Sequence, residues 1–314
     1  MRSCCDFMGN ERENLLGFDV GGTKCAAVLG ERIGDRLKVV GRSAFATAEF
    51  PDPEKCIRKF VAEMRNLLAR HDVAEYAGVG ISCGGPLDAE SGVVLSPPNL
   101  PGWDEVPVAE MLSDEFGCPA HLCNDADACA VAEWRFGAGQ GCRNMIFLTF
   151  GTGMGAGLIL NGTLYRGANG MAGECGHIRL AADGPVGYGK RGSFEGFCSG
   201  GGLRQLAEAA FPGRNMDAKA LAQAAHAGDA TALRGWRECG ARLGEGLAVL
   251  VDILNPERIV LGSIFARSGD LLIPAMRETL EREALPHSLG ACRILPAALG
   301  DAIGDYACLS VALG

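Results

Sequence analysis

Six consecutive residues near the start of the chain, Asp19-Val20-Gly21-Gly22-Thr23-Lys24, bring backbone N–H groups, a hydroxyl and an ammonium into one turn beside a carboxylate. A triphosphate is matched by such a set, because its charge is best met by backbone donors, a cation and a magnesium ion held through water by the carboxylate. The same six residues also read as a plain hairpin in which Asp19 is a turn residue. Gly151-Thr152-Gly153 carries the same two readings, and two such turns in one chain favour phosphate. Neither segment is a GxxxxGK[ST] loop or a GxGxxG ahead of a helix, so the common NTPase and dinucleotide architectures are not supported.

Asn124-Asp125-Ala126-Asp127 precedes a small-residue helix, Ala128 to Phe136. One of the first two caps that helix, a role worth about 1 kcal/mol, or Asp125 accepts a proton from a hydroxyl while a γ-phosphoryl group stands in line. Phosphoryl transfer asks little beyond positioning and charge neutralisation. Glu174, His177 and Glu195 stand among glycines, in GECGH and GSFEG. Carboxylates and an imidazole meet the hydroxyls of a polyol with fixed geometry. Each also reads as a solvated loop residue, and their clustering favours a site.

The elements that must position these groups follow from periodicity. Leu15 to Val20 and Cys25 to Leu29 predict two strands joined by the Gly21–Lys24 turn. Ile57, Phe60, Val61, Met64, Leu67 and Leu68 fall at helical spacing within Glu54 to Arg70, and Gly78 to Ser82 predicts a buried strand ending in a Gly-Gly-Pro loop. Met145 to Phe150 and a strand ending at Leu160 flank the second turn, and Asn161-Gly162 favours a two-residue hairpin. Trp236 to Leu254 predicts a helix stopped by Asn255-Pro256, Arg258 to Leu261 a strand running into Gly262, and Asp301 onward a terminal helix. Two Gly/Thr turns between strands suggest a pseudo-repeat of related lobes.

Composition sets the frame. A chain of 314 residues exceeds what one core organises, so two lobes sharing a cleft are expected. Hydrophobic residues make up 48% and charged residues 21%, an ordinary globular balance. A net charge of -9 argues against a nucleic-acid partner, which needs a basic surface. The fourteen cysteines are scattered through apolar segments and read as reduced, buried small hydrophobes. The start of the chain lacks a long apolar core and no stretch reaches the length of a membrane span, so a cytoplasmic protein with no membrane partner is expected.

The stretches LLGFDVGGTK, PPNLPGW, CNDADACAVAEW, FGTGMGAGLILNGTLYRGANGMAGECGH and GKRGSFEG resemble the ROK family of repressors, open reading frames and sugar kinases, over nearly the whole chain. The resemblance implies an α/β, two-lobed actin-like ATPase (ribonuclease H-like) fold with an interlobe cleft. It implies ATP-dependent phosphorylation of a hexose or N-acetylhexosamine with magnesium, and a homodimer. Residue by residue, it implies that Asp19, Gly21, Gly22, Thr23 and Lys24 serve the first phosphates, Gly151, Thr152 and Gly153 the second phosphate loop, and Gly262 the adenosine turn, where Ser263 stands in place of a usual second glycine. Asp125 is then the general base, with Asn99, Asn124, Glu174, His177 and Glu195 holding sugar. Lobe boundaries are expected at 1–118 plus 299–314 and at 119–298, with Asp125 in the second. The family's repressor branch carries an N-terminal helix-turn-helix, whereas eighteen residues precede Asp19 here, so a repressor is not expected. The family's structural zinc uses the histidine of GExGH and three cysteines, and those three positions are Val186, Tyr188 and Ser193. Zinc is therefore expected to be absent unless Cys175 or Cys198 rebuilds the site, with Val186, Tyr188 and Phe194 forming an apolar plug in its place.

Overall fold

The computed structural model of the protein describes residues 12–314, so the reading of the leader lies almost wholly outside the described residues. Contacts divide the chain into two compact units, one running to Gly137 and including Asp301–Gly314, the other Ala138–Gly300.

In the first unit, β1 (Arg12–Val20), β2 (Lys24–Ile33) and β3 (Arg36–Ala46) form an antiparallel meander, followed by α1 (Pro53–Arg70) and β4 (Gly78–Cys83). A small hairpin, β5 (Leu87–Asp88) and β6 (Val93–Val94), leads to α2 (Val108–Phe116), β7 (Ala120–Asn124) and α3 (Asp125–Phe136). The sheet order is β3-β2-β1-β4-β7, with β4 parallel to β1 and β7 parallel to β4. Period-two alternation sends Leu16, Phe18 and Val20 to one face of β1 and Leu15 to the other, where it packs with Cys308 and Leu309 of the C-terminal helix Ile303–Val311. All six residues of β4 are buried, as expected of a parallel strand covered on both faces. Helix α1 starts where the Asp52 carboxylate accepts from Lys55 N at 2.9 Å and Pro53 pre-sets the first turn. Its buried stripe, Ile57, Phe60, Met64 and Leu67, lies on the sheet, with the Phe60 ring edge-on to Phe18 at 5.3 Å. Truncating Phe60 to alanine removes that contact at a cost of about 3–5 kcal/mol.

The lobe boundary differs from the sequence expectation. β7 extends the first sheet by pairing with β4, and α3 follows it, so the junction falls after Gly137 rather than after residue 118, and the return at Asp301 rather than 299. Asn124 and Asp125 therefore belong with the Gly21–Lys24 turn, not with Gly151–Gly153.

The second unit opens with β8 (Met145–Leu148), β9 (Ala156–Leu160) and β10 (Thr163–Leu164), again an antiparallel meander. A short hairpin of β11 (Val186–Gly187) and β12 (Lys190–Arg191) precedes α4 (Phe194–Phe197), α5 (Gly200–Ala210), α6 (Ala218–His226) and α7 (Ala230–Leu254). β13 (Arg258–Leu261), α8 (Ile264–Glu283), α9 (Pro286–Ala291) and β14 (Arg293–Pro296) complete it. Its sheet order, β10-β9-β8-β13-β14, repeats the first unit's plan of a meander flanked by two parallel strands. The pseudo-repeat is thus one of topology. Asn161 and Gly162 adopt positive φ of 55° and 80°, the backbone that a tight two-residue turn requires. Helix α7 ends at Asn255 in the left-handed region, with Pro256 beyond it. The twelve described cysteines are free thiols, nine of them buried. No helix among the described residues is long and apolar enough to cross a membrane.

Candidate active site

Register fixes the first half of the site. Val20 of β1 pairs with Cys83 of β4, and Cys83 with Asn124 of β7, so three adjacent parallel strands end together. The Gly21–Lys24 turn, the Gly84-Gly85-Pro86 loop and Asp125 each follow one of those ends, the edge where open α/β sheets present their functional loops. Thr47, just past β3, donates its hydroxyl to Gly21 O at 2.6 Å and its N–H to Thr23 O at 3.1 Å, which fixes the turn's carbonyls. Asn99 lies directly on the turn: a Cβ on Gly22 would stand 2.6 Å from Asn99 Cβ and 2.8 Å from Asn99 O, so only glycine allows this approach.

At the end of β7 the cap is Asn124, whose Oδ1 accepts from Ala126 N at 3.0 Å. α3 starts one residue later, at Asp125, three residues before the sequence expectation. Asp125 Oδ1 also accepts from Ala126 N at 2.8 Å, but the capping duty does not rest on it. Asp125 keeps access to water, and the protein packed around it withdraws part of its hydration. That desolvation raises its pKa, against the pull of its backbone hydrogen bonds. Asp19, at the end of β1, is pushed up to about 6, first by burial and then by the negative charges of Asp125 and Asp305, with Arg42 acting in the opposite sense. Arg42 is itself paired with Asp305 at 2.8 Å.

The second unit is built alike. Leu148 of β8 pairs with Leu261 of β13, so the Gly151–Gly153 loop and the Gly262-Ser263 turn follow neighbouring parallel strands. Gly151 N donates to Gly153 O at 3.0 Å, and Phe150, though buried, holds φ at 30°. Helix α5 grips this loop from behind: Gly200 N donates to Gly151 O at 2.8 Å and Gly201 N to Thr152 O at 3.2 Å. Ser263 occupies φ 50°, ψ -104°, backbone that costs a non-glycine residue about 1–3 kcal/mol. Its Oγ accepts from Arg267 at 3.2 Å. Glu195, in the first turn of α4, accepts from Met154 N at 2.9 Å. The Glu174–His177 turn packs on it, since a Cβ on Gly176 would lie 3.3 Å from Glu195 Cβ. Each unit thus gathers its own predicted residues: Asp19, Gly21–Lys24, Asn99, Asn124 and Asp125 in the first, Gly151–Gly153, Glu174, His177, Glu195 and Gly262 in the second.

The ROK family profile matches residues 15–309. The chain belongs to the ROK family. Among its ROK relatives, the glucokinase of Thermotoga maritima is 30% identical over 311 residues, spanning 95% of this chain and 96% of that protein. The xylose repressor of Caldicellulosiruptor bescii is 33% identical over 220 residues, covering 66% of this chain and 55% of the repressor. Among solved structures, the ROK hexokinase of Thermus thermophilus superposes with a TM-score of 0.81 at 30% identity, covering 95% of this chain and 97% of its own. The ROK glucokinase of Streptomyces griseus, solved in complex with glucose and AMPPNP, superposes with a TM-score of 0.75 at 30% identity over 96% of this chain and 99% of its own. The fold is the α/β, two-domain actin-like ATPase fold of ROK sugar kinases.

The residues at the zinc positions of the ROK pattern do not fit a zinc ion. Valine offers no donor at position 186, and the Ser193 hydroxyl, fully buried, caps α4 by accepting from Gly196 N at 3.1 Å. Tyr188 is 78% exposed, and its ring meets His177 edge-on at 6.4 Å. Cys198 Sγ donates to Cys239 O at 3.5 Å, and burial pushes the Cys175 thiol up to about 12, which disfavours the thiolate a metal needs. Among the described residues no three His, Cys, Asp or Glu side chains gather as a metal site. The expected apolar plug does not form. Val186 and Tyr188 lie outward on the hairpin, whereas Phe194 turns inward against Gly246 of α7.

Sequence reasoning missed Thr47, Arg42, Asp305 and Gln205. Thr47 lies 26 residues from the carbonyl it holds, and Arg42 is 263 residues from Asp305. Neither pairing leaves a local pattern to read.

Proposed function

We propose that this chain is an ATP-dependent sugar kinase, glucokinase-like, that transfers the γ-phosphoryl group to a hydroxyl of a hexose or N-acetylhexosamine with Asp125 as general base. The observation that carries the reading is the common edge of the first sheet, where the Gly21–Lys24 turn and Asp125 follow the ends of β1 and β7, parallel strands on either side of β4. The glucokinase relatives, aligned along nearly the whole chain, support the same chemistry.

In this mechanism the backbone of Gly21, Gly22 and Thr23, with Lys24, and that of Gly151, Thr152 and Gly153 hold the phosphates, and Gly262 borders the adenosine. Asn99, Asn124, Glu174, His177 and Glu195 fix the sugar hydroxyls. The Asp125 carboxylate takes the hydroxyl proton as that oxygen bonds to the γ-phosphorus and the bond to the leaving ADP oxygen breaks. Partial desolvation raises the basicity of this carboxylate above that of a free one, which suits the task. The Asp19 carboxylate is a hard oxygen ligand that would hold a magnesium ion through water, and the ion would neutralise phosphate charge.

A second reading, a non-catalytic sugar-responsive regulator, is favoured by the repressor relative. ATP turnover measured with glucose, mannose, fructose, allose, N-acetylglucosamine and N-acetylmannosamine separates the two. The kinase reading expects turnover with at least one sugar, falling on the order of 10² to 10⁴-fold in Asp125→Asn while sugar binding persists. An Asn variant as fast as the parent would leave Asp125 a helix residue only, and absence of turnover with every sugar would favour the regulator.

A further inference from the structure

We propose that Gln205 positions the sugar-side segments of the second unit against its phosphate loop, serving where the ROK pattern uses a metal. The functional half of this proposal rests on the sugar-kinase reading. A hairpin with two residues per strand, such as β11–β12, does not hold its shape alone. Gln205, on the second turn of α5, treats it as a neighbouring strand would: its Oε1 accepts from Val186 N at 2.9 Å and its Nε2 donates to Val186 O at 2.8 Å. The same Nε2 reaches Gly201 O at 3.3 Å. A carboxamide is the side-chain group that carries donor and acceptor side by side, and so it can satisfy both backbone groups of one edge residue.

The clasp matters because of what is fastened to either end. Gly200 and Gly201, one turn earlier on α5, are the residues whose N–H groups hold Gly151 O and Thr152 O. Beyond Val186, the hairpin lies flush on α4, where a Cβ on Gly187 would stand 2.8 Å from Glu195 Cβ. Ser193 Oγ donates to Gly187 O at 3.4 Å, and Lys190 Nζ donates to His177 O at 2.6 Å. The Gln205 amide thus joins the helix that holds the phosphate loop to the hairpin that lies against Glu195 and His177, adding to the direct bond from Met154 N to Glu195.

The test compares the full-length parent with Gln205→Ala and Gln205→Glu by hydrogen–deuterium exchange and by steady-state kinetics. Alanine removes both bonds and should speed exchange across residues 184–193 about tenfold. Glutamate keeps the acceptor for Val186 N, loses the donor to Val186 O, and should fall between. For whichever sugar the parent phosphorylates, its KM should rise about tenfold in Gln205→Ala while the KM for ATP stays within about twofold. Unchanged exchange in the hairpin overturns the clasp whatever the activity. Faster exchange with an unchanged sugar KM, or with equal shifts in both KM values, overturns the positioning role. A parent with no sugar turnover fails the kinase reading, and the exchange measurement still decides the clasp.

Discussion

Replacing Asp19 with asparagine should stabilise the protein at neutral pH while removing its activity, and the effect has a defined pH window. The Asp19 carboxyl is raised from 3.8 to about 6, by burial first and then by the charges of Asp125 and Asp305. The folded chain binds this proton more tightly than the unfolded chain. The stability Asp19 contributes is therefore fully present below about pH 3.8 and is lost as pH rises through about 6. A rise of about two pKa units corresponds to about 3 kcal/mol held against the folded state at pH 8. Asp19 is partly open to water, and screening brings that to about 1.5 kcal/mol. Asparagine keeps the shape without the charge, so Asp19→Asn should melt about 3–6 °C above the parent at pH 8. By pH 4 most of the gap should close, because the carboxyl of the unfolded chain is by then becoming protonated as well. Melting curves of both proteins from pH 4 to 8, in buffer with a magnesium chelator, measure this directly. A variant no more stable than the parent at pH 8, or a gap of the same size at pH 4, would refute the burial argument. The loss of turnover tests a separate point, the service of Asp19 to the phosphates, and a stabilised but inactive variant is the pattern of a site that trades stability for function.

Two further outcomes follow from the second unit. A Cβ on Gly246 of α7 would stand 2.4–2.6 Å from three ring carbons of Phe194, so Gly246→Ala should cost about 1–3 kcal/mol and, by pushing α4, weaken sugar binding through Glu195; a variant with the parent's melting temperature would show that the ring shifts freely. Elemental analysis should find no stoichiometric zinc, and a zinc-selective chelator should leave melting temperature and turnover intact while removal of magnesium abolishes turnover; a tightly held zinc lost together with activity would point to Cys175 or Cys198 as ligands.

Much of the local plan is legible in the residues alone. Gly21, Gly22, Asn161 and Gly162 announce turns because backbone that approaches a neighbour closely or takes positive φ favours few side chains. The stripe from Ile57 to Leu67 announces α1 because burial on one face repeats with the helical turn. The two Gly/Thr turns, the Asn124-Asp125 pair and the glycine-flanked Glu174, His177 and Glu195 stand out for the same reason: their chemistry is carried by short contiguous segments. Tertiary structure alone decided which of them keep company. β7 pairs with β4 through backbone hydrogen bonds that no side-chain pattern at residue 118 foretells, and that pairing moved Asp125 into the unit of the Gly21–Lys24 turn. Likewise Thr47 on Gly21, Arg42 with Asp305, and the Gln205 carboxamide on Val186 join residues far apart in sequence or on separate elements. The fate of the zinc positions divides in the same way. The loss of three cysteines is written in the sequence, but what the hairpin would lean on instead is not, because a valine and a tyrosine read as plug-forming until a short exposed hairpin turns them outward and leaves Phe194 to the interior.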